Sequence, residues 1–183
     1  GTVRETREFI KQYEFVDNFQ VFVNERFIYQ YISDKYPQDE VKFDISKIRL
    51  YTMDIETRSE NGFPDVEAAD QEMLLISMQD YNTKEIITWG VGAFKLKQDN
   101  VYYKQFNNEF DLLSDFIQWW IKNTPDIVTG WNIQMFDIPY LAKRLYRVLG
   151  EKTARRLSPW GLVSPKELYI KGRRHVVYDI GGI

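Results

Sequence analysis

The chain has 183 residues but no cysteine and only one histidine, His175. The absence of cysteine excludes disulfides and thiolate-bound metals, and one histidine is too few for a histidine-built zinc site. Any metal would therefore be held by oxygen ligands, which favours magnesium, manganese or calcium. The chain also lacks a signal-peptide pattern and an apolar run long enough to span a bilayer. We therefore expect a soluble protein that is neither secreted nor bound in a membrane.

The chain also lacks an overall excess of positive charge. The formal net charge of −3 and the pI near 5.3 argue against a chain that coats nucleic acid non-specifically. Between Lys143 and Arg174, however, there are ten lysines and arginines and only two glutamates. This segment is either a solvated helix face with its loop or a local surface for phosphates, and both interpretations stay open.

The first part of the chain is predicted to form a small unit that leads into a larger domain. Apolar positions at helical spacing predict a helix over 4–16, and the aromatic-rich segment 20–32 predicts a strand. The polar, proline-containing segment 34–44 predicts a linker, which divides the chain into units at 1–46 and 47–183. The chain begins at glycine rather than methionine and stops after Gly181-Gly182-Ile183, so we expect a piece of a longer protein.

The larger unit contains the patterns of an α/β sheet domain. Strand signals come first, at 48–55, 72–81 and 84–90, and the last two are joined as a hairpin through a short turn. Later patterns predict helices at 109–123 and 138–149, a short buried strand within 126–132, and a basic-tipped hairpin at about 166–179. Three antiparallel strands followed by a helix, a strand and a helix predict an α/β sheet unit with one crossover connection.

Asp54 and Glu56 lie two residues apart on the first predicted strand. Alternate residues of a strand project to the same face, so both carboxylates point together while Met53 and Ile55 turn towards apolar packing. The two negative charges repel each other, increasingly so on burial, and a pair of divalent cations would compensate them. Alternatively, both side chains simply reach water at the edge of a strand.

The loop after the short predicted strand places Asn132 and Asp137 ahead of the second helix. Active-site residues of open α/β sheets gather at such strand ends, on loops that the scaffold holds rigid. Asp137 is therefore a candidate third carboxylate, although an aspartate just before a helix is also a common N-cap.

Taken together, the two motifs resemble the first and second exonuclease motifs of family B DNA polymerases. The matching stretches are Asp-Ile-Glu-Thr at 54–57 and Gly-Trp-Asn-x-x-x-Phe-Asp-x-Pro-Tyr at 130–140. The residues of these motifs are most similar to those of the replicative polymerases of T-even-like bacteriophages. The resemblance runs from about Tyr31 to the end of the chain. It implies an RNase H-like exonuclease fold, here incomplete and with a β-hairpin insertion, preceded at 1–46 by part of the polymerase N-terminal domain.

The resemblance also implies removal of mispaired 3′-terminal nucleotides from DNA, by hydrolysis with two Mg²⁺ or Mn²⁺ ions. By this likeness, Asp54 would bridge both ions, and Glu56 would bind the ion that activates the attacking water. Asp137 would hold the second ion near the leaving oxygen. Asn132 would position the terminal nucleotide or the loop, and Phe136 is a candidate DNA contact whose expected main task is core packing.

Five further residues are candidate DNA contacts by the same resemblance. Thr57 and Arg58 follow the first motif, where members of the family approach the end of the substrate. Lys171, Arg173 and Arg174 lie on a hairpin that resembles the one those polymerases use to move the primer end between active sites. These cations would contact the DNA backbone by charge alone. The alternative is a surface hairpin whose charges only interact with water.

One part of the family pattern is absent. The third exonuclease motif, Tyr-x-x-x-Asp, has no match after Asp137. We therefore expect its metal ligand and the polymerase module to lie beyond Ile183, and the fragment alone to be nearly inactive. The expected partners are single-stranded DNA or a primer 3′ end, the rest of the polymerase and a sliding clamp, in the cytoplasm of an infected bacterium. Two alternatives stay open: a free-standing RNase H-like 3′–5′ exonuclease on RNA or DNA, and a non-catalytic nucleic-acid-binding domain.

Overall fold

The computed structural model describes residues 3–21, 27–37, 42–60, 62–95 and 98–183. The chain folds into two compact units, Gly1–Phe43 and Asp44–Ile183. No helix within the described ranges is long and apolar enough to cross a membrane.

The described residues of the first unit form two helices, α1 (Val3–Tyr13) and α2 (Phe27–Lys35). α1 confirms the helix predicted over 4–16 as far as Tyr13, whereas residues 14–16 are not helical. The linker predicted at 34–44 is described only in part, because residues 38–41 lie outside the described residues.

The strand predicted over 20–32 is wrong for residues 27–32, which form most of α2. Residues 22–26 lie outside the described residues. The aromatic content of the segment favours a strand by composition, but Phe27 and Tyr31 repeat at the spacing of one helical turn. The spacing of the side chains, rather than their type, indicates the structure here.

The second unit is built on a five-stranded sheet in the order β4-β3-β2-β1-β5. Its strands are β1 (Leu50–Thr57), β2 (Met73–Asp80), β3 (Ile86–Val91), β4 (Val101–Phe106) and β5 (Ile127–Thr129). β1, β2 and β3 pair antiparallel, as predicted, whereas β4 runs parallel to β3 and β5 runs parallel to β1. The mixed sheet with its helices confirms the predicted α/β class and fits the RNase H-like fold.

The two edge strands depart from the sequence-based expectation. β4 has no counterpart among the predicted strands, because Lys104 and Gln105 interrupt its apolar alternation. β5 is present but is not the buried strand that the sequence predicts, since Ile127 is 45% exposed. β5 pairs with β1 only over Leu50–Thr52, and its edge position leaves one side of the strand open to water.

Two long helices pack with this sheet to form the core. α3 (Glu109–Asn123) matches the predicted helix at both ends, and Asn108 caps it by accepting the Asp111 N–H (2.9 Å). α4 spans Asp137–Leu149, and the short α5 (Glu151–Ala154) follows it. The buried residues of the sheet and helices form one cluster that includes Met53, Ile55, Ile76, Trp89, Leu112, Phe116, Trp120, Leu141 and Leu145.

A separate two-stranded hairpin follows, made of β6 (Val163–Ile170) and β7 (Arg173–Ile180). Lys171 and Gly172 form its turn, with φ values of 48° and 77°. Positive φ at both central residues is what a two-residue type I′ turn requires. The predicted hairpin is therefore present and begins at Val163 rather than near residue 166.

Candidate active site

β1 carries two of the predicted site residues on one face. Asp54 and Glu56 are exposed, whereas Met53 and Ile55 are 1% and 5% exposed and belong to the core. Strand alternation therefore places both carboxylates together on the surface of the sheet, as predicted. A shift of register between Glu56 and Thr57 ends the regular pairing with β2 just after the second carboxylate.

Asp137 is the third predicted carboxylate and lies at the start of α4. It is the first residue of the helix, and Phe136 occupies the cap position, so the N-cap interpretation of Asp137 is wrong. The residue is only 3% exposed, and its Oδ1 accepts the backbone N–H of Ile55 (3.2 Å). That bond connects Asp137 to β1 at the residue between Asp54 and Glu56.

The electrostatic surroundings of Asp137 disfavour its negative charge. Burial raises the pKa of its carboxyl group to about 6 from an ordinary 3.8, and the charges of Asp54 and Glu56 add to the rise. Hydrogen bonds from the backbone N–H groups of Asp137 and Ile55 act in the opposite direction. Within the described ranges, no lysine or arginine forms an ion pair with any of the three carboxylates.

The chemistry of this donor set fits a hard divalent cation, but the carboxylates do not form a closed cage. Carboxylate oxygens are ligands that Mg²⁺ and Mn²⁺ prefer. Among the described residues, no group of three or more His, Cys, Asp or Glu side chains is arranged so that it could hold a metal ion. Asp54, Glu56 and Asp137 are therefore neighbours with unbalanced charge rather than a preformed three-ligand site.

The loop between β5 and α4 is fixed to β1 just ahead of Asp137. A Cβ at Gly130 would lie 2.4 Å from the Met53 carbonyl oxygen, so this close passage requires glycine. Asn132 follows with φ of 55°, and its carbonyl accepts two backbone N–H groups, three and four residues on. The side chain of Asn132 is exposed, whereas its backbone shapes the turn that leads to Phe136.

An exposed phenylalanine outside the sequence-based candidates lies beside this loop. Phe63, between β1 and β2, is 82% exposed, and its ring centre lies 5.0 Å from that of Phe136. Phe136 is half-buried and also contacts the ring of Tyr140 (5.5 Å), which agrees with its expected role in packing. The sequence signal for Phe63 is the one aromatic residue of segment 58–72, between Gly62 and Pro64.

Two of the arginines predicted to contact DNA bind carboxylates of the protein itself. Arg58 donates to Glu72 (2.7 Å), and Arg174 binds both Glu167 (2.9 Å) and Glu67 (2.7 Å). These guanidinium groups would have to leave their partners before binding a phosphate. They are therefore weaker candidates for DNA contact than the sequence suggests.

The remaining predicted contacts lie at the end of β1 and at the tip of the hairpin. Thr57 is the last residue of β1 and is half-buried. Lys171 in the turn and Arg173 just after it are exposed, and neither forms an ion pair with another described residue. The hairpin belongs to a separate sheet, and none of its cations forms a hydrogen bond or ion pair with the three carboxylates in the described ranges.

The basic segment 143–174 is partly neutralised within the protein. Half of its ten cations bind acceptors in the part of the chain that the structure describes, namely Arg144, Arg147, Arg155, Lys166 and Arg174. Much of the segment therefore serves the structure, and only the unpaired cations stay available for a phosphate. Lys171 and Arg173 are two of these.

The chain resembles several known DNA polymerases. The model of "DNA polymerase family B, exonuclease domain" matches residues 10–178. The chain is 31% identical to a DNA-directed DNA polymerase of Escherichia phage RB69, over 87% of this chain and 20% of that protein. It is 30% identical to a DNA-directed DNA polymerase of Enterobacteria phage T4, over 100% of this chain and 23% of that protein. A DNA polymerase catalytic subunit of Human herpesvirus 6A is 28% identical over 78% of this chain and 15% of that protein. The chain spans about a fifth of the length of the phage relatives.

Proposed function

This chain belongs to the exonuclease domain family of family B DNA polymerases, and we propose that three of its carboxylates form a site at which 3′-terminal nucleotides are removed from DNA by hydrolysis. One observation supports this site above all others. Asp54 and Glu56 are exposed on one face of β1, and the buried Asp137 binds the amide between them. Neighbouring carboxylates without a basic partner are what hydrolysis with divalent metal ions requires.

Asp54, Glu56 and Asp137 would hold Mg²⁺ or Mn²⁺ at this site. When bound, two such ions lower the pKa of the attacking water and stabilise the departing oxygen. The carboxyl group of Asp137, with its pKa of about 6, is mostly ionised above pH 7 and can then act as a ligand. Its hydrogen bond from Ile55 fixes the carboxylate relative to β1.

The proposed substrate is single-stranded DNA with a free 3′ end. The exposed ring of Phe63 beside Phe136 offers a surface for base stacking, which contributes about 1–3 kcal/mol per base. The exposed amide of Asn132 can both donate to and accept from a nucleotide. Lys171 and Arg173 would contact phosphates by charge, without a preference for sequence.

The proposed setting is a longer polymerase chain. Residues 1–46 would contribute to its N-terminal domain, and residues 47–183 would form the first part of its exonuclease domain. The match of the family model and the much longer phage relatives support this arrangement. The partners would then be the rest of the polymerase and a sliding clamp, in the cytoplasm of an infected bacterium.

A second candidate function is nucleic-acid binding without chemistry. It is favoured by one observation: the described ranges contain no group of three or more acidic or histidine side chains that could hold a metal ion. In that case the aromatic surface and the hairpin cations would still bind DNA, but the carboxylates would not hold an ion.

Manganese binding and nucleotide release separate the two functions. We expect calorimetry to detect Mn²⁺ binding to the chain, and Asp54→Asn to abolish it. Asp99→Asn is the matched control, because it removes an exposed carboxylate on the β3–β4 connection and should leave binding unchanged. Release of nucleotides from the 3′ end of single-stranded DNA should be very slow, since a closed ligand set is missing.

Two outcomes would change this conclusion. A wild-type chain that binds no Mn²⁺ would favour the binding-only function. Rapid nucleotide release that Asp54→Asn abolishes would show that the described carboxylates are sufficient for catalysis, and the expectation of a nearly inactive fragment would then be wrong.

A further inference from the structure

The β1–β2 loop, residues 58–72, leads away from the strand that carries the two exposed carboxylates. Its ends are joined, because the Arg58 N–H donates to the Glu72 carbonyl (2.7 Å) and the two side chains form an ion pair (2.7 Å). Between these ends, the loop exposes Phe63 beside Phe136, the residue that precedes Asp137. It is a closed surface loop of a kind that frequently carries function.

One face of α4 holds the second half of this loop. Three α4 side chains, at the spacing i, i+4 and i+7, donate to four consecutive carbonyl groups of the loop backbone. The bonds run from Tyr140 to Gln71 (2.6 Å), from Arg144 to Ala69 (3.0 Å) and Asp70 (3.2 Å), and from Arg147 to Ala68 (2.7 Å). Because all the acceptors are carbonyl groups, these contacts fix the path of the loop backbone.

Arg144 is the central donor and is itself held firmly. Its guanidinium makes two bonds to Glu109 (2.6 Å each), and the two side chains are only 12% and 8% exposed. Glu109 also accepts the backbone N–H of Met73 (2.8 Å), where the loop ends and β2 begins. The planar guanidinium binds the carboxylate and the loop carbonyls at the same time, which the single ammonium of a lysine cannot reproduce.

We propose that Arg144 is a positioning residue that fixes the β1–β2 loop to α4 and thereby holds the Phe63 ring against Phe136 for a DNA base. Asp137 is the first residue of the same helix. One rigid element therefore sets both a metal-ligand candidate and the stacking surface beside it. The part about DNA rests on the proposed function, whereas the part about the loop concerns the protein without DNA.

The first experiment follows the Phe63 ring in the absence of DNA. 4-Fluorophenylalanine at this position of the 183-residue chain gives a fluorine NMR signal that reports packing on Phe136. In Arg144→Lys, we expect the signal to leave its wild-type position and to become narrower, because the Phe63 ring would lose its contact with the Phe136 ring. Arg155→Lys is the matched control, because Arg155 pairs with Glu151 (2.7 Å) in an exposed salt bridge and does not bind the loop.

The second experiment measures the affinity for a thymidine oligonucleotide of about ten nucleotides, a length within the range that such sites cover. Phe63→Ala and Arg144→Lys should each weaken binding about tenfold, as expected from the loss of one base–aromatic stack. The double variant should bind no more weakly than Phe63→Ala, since Arg144 acts through that ring. A merely structural role of Arg144 would instead make the two losses add.

The two experiments can fail separately. An unchanged fluorine signal in folded Arg144→Lys protein would overturn the positioning role, whatever the DNA affinity. A shifted signal with an unchanged affinity for Phe63→Ala would support the loop contact and overturn the part about DNA. If Arg144→Lys does not fold, Tyr140→Phe and Arg147→Ala each remove one loop bond. A signal that stays in place in both would overturn the proposal.

Discussion

The unbalanced charge of Asp137 predicts that the metal-free protein is less stable above pH 6 than its Asp137→Asn variant. Burial raises the pKa of this carboxyl group to about 6 from an ordinary 3.8. A group with a raised pKa in the folded state favours folding while it is protonated. That contribution is complete below about pH 3.8 and is lost as the pH rises through 6. Asparagine does not ionise, and its side-chain oxygen can still accept the Ile55 N–H.

The size of the effect follows from the difference between the two pKa values. A rise of about two pKa units corresponds to ~3 kcal/mol in the free energy of unfolding. Asp137→Asn should therefore raise this free energy by about 3 kcal/mol at pH 8 and by about 1 kcal/mol near pH 4.5. Because Asp137 is deeply buried, screening by solvent reduces these values little.

Urea unfolding in the presence of a chelator, at pH values from about 4.5 to 8, measures this difference. Trp89 and Trp120 are fully buried, so tryptophan fluorescence reports the loss of the core. The exposed Asp99→Asn is the control and should show no gain that grows with pH. A stability difference between wild type and Asp137→Asn that is constant from pH 4.5 to 8 would refute the reasoning. Added Mn²⁺ should stabilise the wild type more than the variant, because only the wild type keeps all three carboxylates.

Three further predictions concern the loop, the buried ion pair and the hairpin. Gly130→Ala should lower the free energy of unfolding by about 1–3 kcal/mol in a urea titration, since the added Cβ would lie 2.4 Å from a β1 carbonyl oxygen. Glu109→Gln should cost about 3–5 kcal/mol because it leaves a buried arginine uncompensated, whereas Glu151→Gln, at an exposed pair, should cost about 1 kcal/mol or less. Equal costs for these two variants would contradict the assigned burial. Replacing Lys171 and Arg173 by glutamine should reduce the log–log salt slope of single-stranded DNA binding by about 1.4, as measured by fluorescence anisotropy. An unchanged slope would show that the hairpin tip does not contact phosphates.

The sequence predicts best those elements whose signals are local. α3 is predicted to the residue because its apolar spacing lies within the segment itself, and the structure adds a local cap at Asn108. α2 is mispredicted because its aromatic composition is typical of a strand, while its spacing is helical. β4 is not predicted from the sequence, because an edge strand can expose most of its side chains and needs no strict apolar alternation.

At the site, the carboxylates follow from the sequence, but the contacts around them do not. Strand alternation and the position of a loop make three acids candidates, and the resemblance to the exonuclease motifs favours them over the alternatives. Arg174, by contrast, has the sequence context of a free cation, and its partner Glu67 is 107 residues away. The partners Arg144 and Glu109 are 35 residues apart. Such pairs depend on how helices and loops meet in the folded protein, which no single stretch of sequence specifies.

Two acids of this domain occupy nearly equivalent positions, but only one of them is neutralised. Glu109 is the first residue of α3, and Asp137 is the first residue of α4. Both are buried, and each accepts a backbone N–H from a strand, that of Met73 for Glu109 and that of Ile55 for Asp137. Glu109 is compensated by its two bonds to Arg144, as a buried acid with a structural role requires.

Asp137 has no such partner among the described residues and instead lies near Asp54 and Glu56, whose charges raise its pKa further. A helix N-terminus offsets only part of this cost, typically about 0.3–1 kcal/mol. The fold compensates Glu109 with an arginine, so a buried acid at a helix start can be neutralised in this domain. Leaving Asp137 negative beside two exposed carboxylates only destabilises the metal-free protein, and it becomes favourable when a cation binds there. The difference between these two positions, more than the number of acids, therefore favours a metal-binding role over a structural one.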